Sequence, residues 1–258
     1  MSLWLSGDAY DAFMGRYSRR LAVEFAAFAG VAPGLRALDV GCGPGALTGE
    51  LLRRLGAGNV AACEPSEPFA AACAARYPGV DVRHGRAEQI PFGDGEFDLV
   101  AAQLVLHFVS DPVRARTEFV RVAAPGATIA ACVWDFTEGM ELLRAFWDAA
   151  SSLDPEMPGR SFRFGRPGEI AQWLADAGLE QVAEGTLAVE SEYRDFGELW
   201  ASVRTGTGPA GAHCVGLPQP AQDRLRRALF DRLGAPPGAF RLTAVARAAR
   251  GVRAAPRR

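Results

Sequence analysis

Asp39, the glycines at 41, 43 and 45, and Glu64 are the residues whose types and spacing carry the most chemistry in this sequence. The run Leu38-Asp39-Val40-Gly41-Cys42-Gly43-Pro44-Gly45 reads as a strand with an acidic residue at its end, then a glycine loop, then a helix. At the carboxyl edge of an open α/β sheet, such a loop turns backbone N–H groups and a positive helix end toward a ligand. Glycine at 41 and 43 keeps Cβ atoms away from that ligand, and turns of this kind often need positive φ. Three readings compete. A dinucleotide fingerprint needs a third glycine three positions after the second, where this chain has Ala46, with Gly45 one residue early. A phosphate-cradling loop ends in Gly-Lys-Ser/Thr, and that is excluded because all 28 basic residues are arginine. The third reading is a tight turn with no ligand, since glycine often only punctuates a chain. Glu64 weighs against that turn. It closes the next strand, at the interval of roughly 20 residues that brings a carboxylate to ribose hydroxyls in nucleoside-binding sheets.

His107 lies just past a later strand, at the mouth of such a site, and is a candidate general base because imidazole titrates near neutrality. Its blander role is a hydrogen bond to nearby backbone. His84 sits in a turn and reads as structural, and His213 has no pocket signal. Cys42 is inside the loop, where small residues fit, and no base is placed beside it to make a nucleophile. Asp135, leaving a strand at the same sheet edge, is a second candidate for touching a substrate.

The elements that must position these residues follow from hydrophobic periodicity. Tyr10, Phe13, Met14, Tyr17, Leu21, Phe25 and Phe28 recur at spacings of three and four, the pattern of one or two amphipathic helices. Apolar runs at Arg36–Val40, Val60–Cys63, Val80–Arg83, Phe97–Ala102 and Thr128–Trp134 read as strands. Helical patterns at Ala46–Leu55, Pro65–Arg76 and Val113–Ala123 alternate with them, which predicts a parallel sheet with helices on both faces. Further on, Glu169–Ala177 reads as a helix, Gln181–Tyr193 as a strand pair or one long strand, and Ala239–Ala246 as a last strand. Two helical patterns between Phe196 and Gly234 predict a cap inserted between the last two strands, and the Ala/Arg-rich tail from Arg247 is expected to fray at its end. The predicted fold is α/β, a Rossmann-like, doubly wound, mostly parallel sheet with that helical cap near the C-terminus. The expected organisation is a helical lid over 1–30, a core over 31–195 and 238–250, and the cap over 196–237.

Composition narrows the partners. A formal charge of −2 gives no basic footprint for nucleic acid or an anionic membrane. The five cysteines include no Cys-x-x-Cys pair, which argues against a zinc site or a disulfide framework. No apolar run is long enough to span a bilayer, and the first residues lack the basic and apolar segments of a secretory signal, so a cytoplasmic enzyme is expected.

The loop, Glu64-Pro65-Ser66, Gly85-Arg86-Ala87-Glu88-Gln89-Ile90-Pro91-Phe92 and Phe97-Asp98-Leu99-Val100 come in the order and spacing of a known family. Over about Asp8 to Phe136 the chain resembles class I S-adenosylmethionine-dependent methyltransferases of the small-molecule type, related to those of ubiquinone biosynthesis. Tyr10-Asp11-x-Phe13-Met14-Gly15-Arg16-Tyr17-Ser18 is similar to an N-terminal helix that closes over the cofactor in one branch. The resemblance implies S-adenosyl-L-methionine as cofactor and a small organic molecule as methyl acceptor, while the apolar content of the cap, with Phe196, Leu199 and Trp200, suits either a pocket wall for a hydrophobic acceptor or ordinary helix packing. It implies that Gly41, Cys42 and Gly43 lie beneath the methionine part, with Asp39 holding its amino group and Gln103 offering it a backbone carbonyl. Glu64 takes the ribose, Pro65 one adenine face, and Ala87 and Glu88 the other. Arg16 suits the methionine carboxylate, because a guanidinium pairs with it in bidentate fashion. Tyr17, with Tyr10 and Phe13, is a candidate for facing the cationic sulfur. Many relatives carry Asp before the Ala-Glu pair to accept the adenine amino group; Arg86 has no acceptor, so Glu88 or a backbone carbonyl must substitute. The alternatives are a catalytically idle protein that binds the cofactor and, from the loop alone, an NAD-dependent oxidoreductase.

Overall fold

The computed structural model describes residues 10–137, 139–156 and 163–255. The part of the expected lid before residue 10 and the tail's last three residues lie outside the described residues.

A π-helical stretch at Asp11–Gly15 runs into helix α1 (Arg16–Phe28), after which strands and helices alternate as β1 (Ala37–Val40), α2 (Ala46–Leu55), β2 (Val60–Glu64), α3 (Glu67–Arg76) and β3 (Asp81–His84). Then come β4 (Phe97–Gln103), α4 (Pro112–Val122), β5 (Ala123–Trp134), α5 (Glu141–Leu153), α6 (Glu169–Ala175) and β6 (Glu180–Tyr193). The chain ends with α7 (Phe196–Val203), α8 (Gly208–Gly216), α9 (Gln219–Arg232) and β7 (Phe240–Val252). The seven strands form one sheet in the order β3-β2-β1-β4-β5-β7-β6. The first five pair in parallel and β7 runs antiparallel to β5.

Right-handed crossovers place helices on the two faces of such a sheet, so its central strands are buried on both sides. All four residues of β1 and all five of β2 are buried. Strand order reverses between β1 and β4, and the crevice at the carboxyl ends of those two strands is where open sheets of this kind hold ligands. Asp39 ends up level with Ala62 of β2 and Ala101 of β4, at that crevice.

Chain contacts divide the protein into two units. The larger holds Ser18–Trp134, Arg163–Leu187 and Ala246–Arg258, with the parallel strands and the glycine loop. The smaller holds Met1–Tyr17, Asp135–Phe162 and Ala188–Val245. Within the smaller unit α5 packs on α9, and the apolar residues of α7 and α9, including Phe196, Leu199, Leu225 and Leu229, are buried. The cap's arginines at 224, 226, 227 and 232 are exposed on α9, a solvated helix face.

Three elements differ from the sequence expectation. The segment 196–237 carries three helices, because Pro209 sits in the first turn of α8, where its missing N–H costs nothing. Helix α5 was not foreseen. The last strand continues six residues past Ala246 to Val252, with Thr128 opposite Val252 and Trp134 opposite Ala246. The first half of the Arg247–Arg258 tail is therefore part of an inner strand of the sheet, and the end expected to fray includes the last three residues, which lie outside the described ones.

Candidate cofactor site

The glycine loop is built on β1 and braced by β2. Gly41 and Cys42 donate their N–H groups to Cys63 C=O at 2.8 and 3.1 Å, and Gly45 N–H returns to Cys42 C=O at 2.9 Å. Gly41, Gly43 and Gly45 have φ of 72°, 54° and 93°, a region that favours glycine. Their missing side chains serve different ends. A Cβ at Gly41 would lie 2.6 Å from Val105, so this glycine admits the segment after β4. At Gly45 it would lie 2.6 Å from the Tyr77 ring, where α3 closes on the start of α2. At Gly43 it would meet nothing within 4 Å, leaving an open cradle above the backbone.

Two buried carboxylates border that loop. Asp39 is 1% exposed and accepts a 2.7 Å hydrogen bond from Thr48 Oγ1. Burial pushes its carboxyl up to about 7, and the nearby Glu64 charge pushes the same way, against the Thr48 bond. Glu64 accepts Gly43 N–H on Oε2 and Ser66 N–H on Oε1, both at 2.9 Å. Burial also raises its carboxyl above the usual range, although those two N–H groups and His84 oppose it. A carboxylate has about four acceptor sites, so Glu64 organises the loop with two and keeps two for a ligand.

His84, expected in a turn, is the last residue of β3, and its Nε2 lies 3.0 Å from Pro65 C=O in the turn after β2. Ala87 is buried, whereas Arg86 is largely exposed and reaches only to 3.9 Å from Glu88. Glu88 Oε1 receives Ser110 N–H, Ser110 Oγ–H and Asp111 N–H at 2.9, 2.7 and 3.3 Å. Burial raises the Glu88 carboxyl, but these donors outweigh it and hold it below the ordinary value.

Gln103 closes β4 and donates from Nε2 to Ser18 C=O at 2.9 Å, tying α1 to the sheet edge. Leu104 follows with φ of 63°, unusual for a non-glycine residue. His107 stands in a one-turn helix after β4, its ring 3.9 Å from that of Phe108. Desolvation of the ring lowers its pKa to about 3 and keeps the imidazole neutral.

These residues suit a cationic nucleoside. The sheet edge offers two buried carboxylates beside an open glycine cradle, and a ligand with positive charge compensates what burial costs them. Comparison with known proteins agrees. A family model described as a methyltransferase domain matches residues 38–131. The demethylmenaquinone methyltransferase of Renibacterium salmoninarum is 30% identical over 195 residues, covering 69% of this chain and 79% of that one. The chain belongs to the class I S-adenosylmethionine-dependent methyltransferases. An uncharacterised 37.1 kDa protein in transposon TN4556 of Streptomyces fradiae is 35% identical over 101 residues, which is 38% of this chain and 29% of that protein's length. The solved YcgJ protein of Bacillus subtilis shares the fold, with a TM-score of 0.56 at 16% identity over 92% of this chain and 98% of that one. The cofactor of this methyltransferase is S-adenosyl-L-methionine.

The remaining candidates of the methyltransferase belong to the smaller unit. Arg16 donates to Glu198 Oε1 at 2.7 Å and to Glu192 C=O at 3.0 Å, with its guanidinium 4.2 Å over the Tyr193 ring. The Arg16 bond and further donors from Arg194 hold the Glu198 carboxyl down at about 2. Tyr17 is fully buried, its hydroxyl 3.1 Å from that of Tyr193, and burial raises its pKa. Asp135 is buried and accepts Thr137 N–H at 3.0 Å, so its carboxylate caps a turn. His213 packs against the Trp147 ring at 5.4 Å. Among the described residues no cluster could hold a metal, and no helix is long and apolar enough to cross a membrane.

Sequence reasoning missed Thr48, the partner of Asp39, and Ser110, the main donor to Glu88. A hydroxyl on the first turn of the helix after the glycine loop was the available signal for Thr48; for Ser110 there was none.

Proposed function

We propose that this methyltransferase moves the methyl group to a small organic acceptor with apolar surface by in-line displacement, as a cytoplasmic enzyme of small-molecule metabolism. The observation that carries the reading is the pair of buried carboxylates, Asp39 and Glu64, beside the open cradle at Gly43. S-adenosylmethionine supplies, when bound, a methyl group already activated by its sulfonium charge.

The chain's own residues then bind and align. Asp39 takes the methionine ammonium, with Thr48 orienting its carboxylate. The backbone carbonyl of Gln103 is a second partner for that group. Glu64 accepts the ribose hydroxyls with the lone pairs its two backbone donors leave free. Gly41, Cys42 and Gly43 form the floor, and Pro65 and Ala87 flank the base. Glu88 has Oε1 taken by Ser110 and Asp111 and its backbone carbonyl taken by Arg114 Nε at 2.8 Å, which leaves Oε2 as its acceptor at that end. Glu88 Oε2 or a backbone carbonyl other than that of Glu88 takes the adenine amino group in place of the acceptor that Arg86 lacks. Arg16 and Tyr17 are held within the smaller unit, Arg16 by Glu198 and Tyr17 by Tyr193.

Displacement at an activated methyl depends on proximity and alignment and needs no base. His107, neutral with a pKa of about 3, is a poor proton acceptor and is better suited to shaping the pocket. A test is release of S-adenosylhomocysteine from S-adenosylmethionine over a panel of small phenols, quinols, amines and carboxylates, with Glu64→Ala as control. Turnover with at least one acceptor, lost in the variant, supports the reading. Tight cofactor binding without turnover on the whole panel would point instead to a catalytically idle binding protein.

A further inference from the structure

Three arginines of the smaller unit line a cavity that the cofactor reading leaves unused. Its volume is about 470 Å³. Helix α5 contributes Glu141, Arg144 and Asp148, which spacings of three and four place on one helix face. Arg232 ends α9 and Arg241 stands at the start of β7, and both border the same space. Leu233 and Leu242 give it an apolar wall.

Among the described residues none of these three guanidiniums is in a close ion pair, and that of Arg144 has no partner. Arg232 Nη1 stands 3.5 Å from Asp148 Oδ2, and Arg241 stands 3.5 Å from Glu192 and 3.9 Å from Glu190, both on β6. A tight guanidinium–carboxylate pair closes to about 2.7–2.9 Å, as Arg16 and Glu198 do at 2.7 Å. An arginine at a helix C-terminus often serves the last carbonyls, but in α9 backbone N–H groups have taken that place. Leu233, Gly234 and Ala235 donate to the C=O groups of Leu229, Asp231 and Phe230 at 3.0, 3.0 and 2.9 Å. Of the two carboxylates on the cavity, Glu141 accepts Thr243 N–H at 2.6 Å, and Asp148 is the loose partner of Arg232. The lining thus carries three positive charges against two negative ones, with Glu190 and Glu192 not part of it.

We propose that this cavity is a second ligand site of the protein, binding the phosphate group of a small phosphorylated metabolite. A phosphate monoester carries about two negative charges at neutral pH and three oxygens that accept from guanidinium forks. Arg144 supplies an unengaged fork. Arg232 exchanges Asp148 for the stronger acceptor, and Arg241 does the same with the exposed glutamates of β6. The carbon body of the metabolite lies against Leu233 and Leu242. The site stands or falls on phosphate binding alone and is independent of the cofactor reading.

Titration calorimetry of the full chain in low-salt buffer tests this, with glycerol 3-phosphate as the probe and succinate as a dicarboxylate of similar charge. Glycerol 3-phosphate should bind, and succinate should bind about tenfold more weakly or not at all. Arg144→Ala and Arg232→Ala should each weaken the phosphate probe about tenfold. Arg224→Ala, which removes an exposed arginine of α9 outside the cavity lining, should leave its affinity unchanged. Asp148→Asn, which removes the carboxylate competing for Arg232, should tighten the probe about threefold. No binding of glycerol 3-phosphate, equal affinity for succinate, or an equal loss in Arg224→Ala overturns the proposal. Capture by vesicles containing phosphatidic acid, without binding of the free probe, would also overturn it by making this surface a membrane contact.

Discussion

Acidification should loosen the cofactor through Asp39. In the ligand-free protein this carboxyl titrates at about 7, because burial and the Glu64 charge outweigh the Thr48 hydrogen bond. A proton on it removes the charge that would hold the methionine ammonium. The ligand-free state therefore carries a proton that the complex must release, and affinity rises with pH until about 7 and then levels. For one linked group, going from about pH 7.5 to about pH 5.5 weakens binding roughly 25-fold, or ~2 kcal/mol. Glu64, raised in the same direction, adds to the slope rather than opposing it. Calorimetric titration with S-adenosylhomocysteine across that range reads both the affinity and the proton released. Asp39→Asn keeps an oxygen for Thr48 but cannot ionise; it should bind more weakly at neutral pH and lose most of the slope. A flat profile in the wild type, or an undiminished slope in the variant, would refute the assignment of Asp39.

The same shift has a consequence for stability. The Asp39 carboxyl is raised from 3.8 to about 7, so the ligand-free fold binds a proton that the unfolded chain releases, and raising pH through that window removes stability. Asp39→Asn should therefore raise the melting temperature of ligand-free protein more at pH 8 than at pH 5, as calorimetric scans would show. Gly43→Ala points a methyl group into the open cradle at a φ of 54°, and should lose at least tenfold in S-adenosylhomocysteine affinity for only ~1 kcal/mol of stability. His107→Ala should leave the shape of the pH–rate profile unchanged between about pH 6 and 9, since an imidazole with a pKa near 3 does not titrate there. Removing Arg16 or Glu198 should each cost ~1–3 kcal/mol in urea unfolding, and a double-mutant cycle should show that the two losses are shared.

The larger unit was readable because its signals are local. Apolar runs of four to seven residues bounded by glycine, proline and acidic residues gave β1, β2 and β4, and the helix Ala46–Leu55 was placed at its observed bounds. What escaped reading depended on distant partners. In β7 the buried positions are largely alanine, alternating in part with arginine, as at Ala246, Arg247 and Ala248. That is a strand's period of two, written with a residue of low strand propensity. Pairing with β5 makes the segment a strand, and no local residue announces that partner. Within the site, Asp39 and Glu64 were found from spacing, whereas the bonds that tune them come from the next helix and the loop backbone. Glu88 shows the limit: its type suggested a free acceptor, and the turn at Ser110 and Asp111 occupies one oxygen fully.

The most direct measurement of the account is a crystal structure with S-adenosylhomocysteine. The account predicts both ribose hydroxyls about 2.7 Å from Glu64, the ammonium on Asp39 or the Gln103 carbonyl, and the ligand's chain over Gly43. A ligand bound elsewhere, or one whose ribose leaves Glu64 bonded only to Gly43 and Ser66, would contradict it.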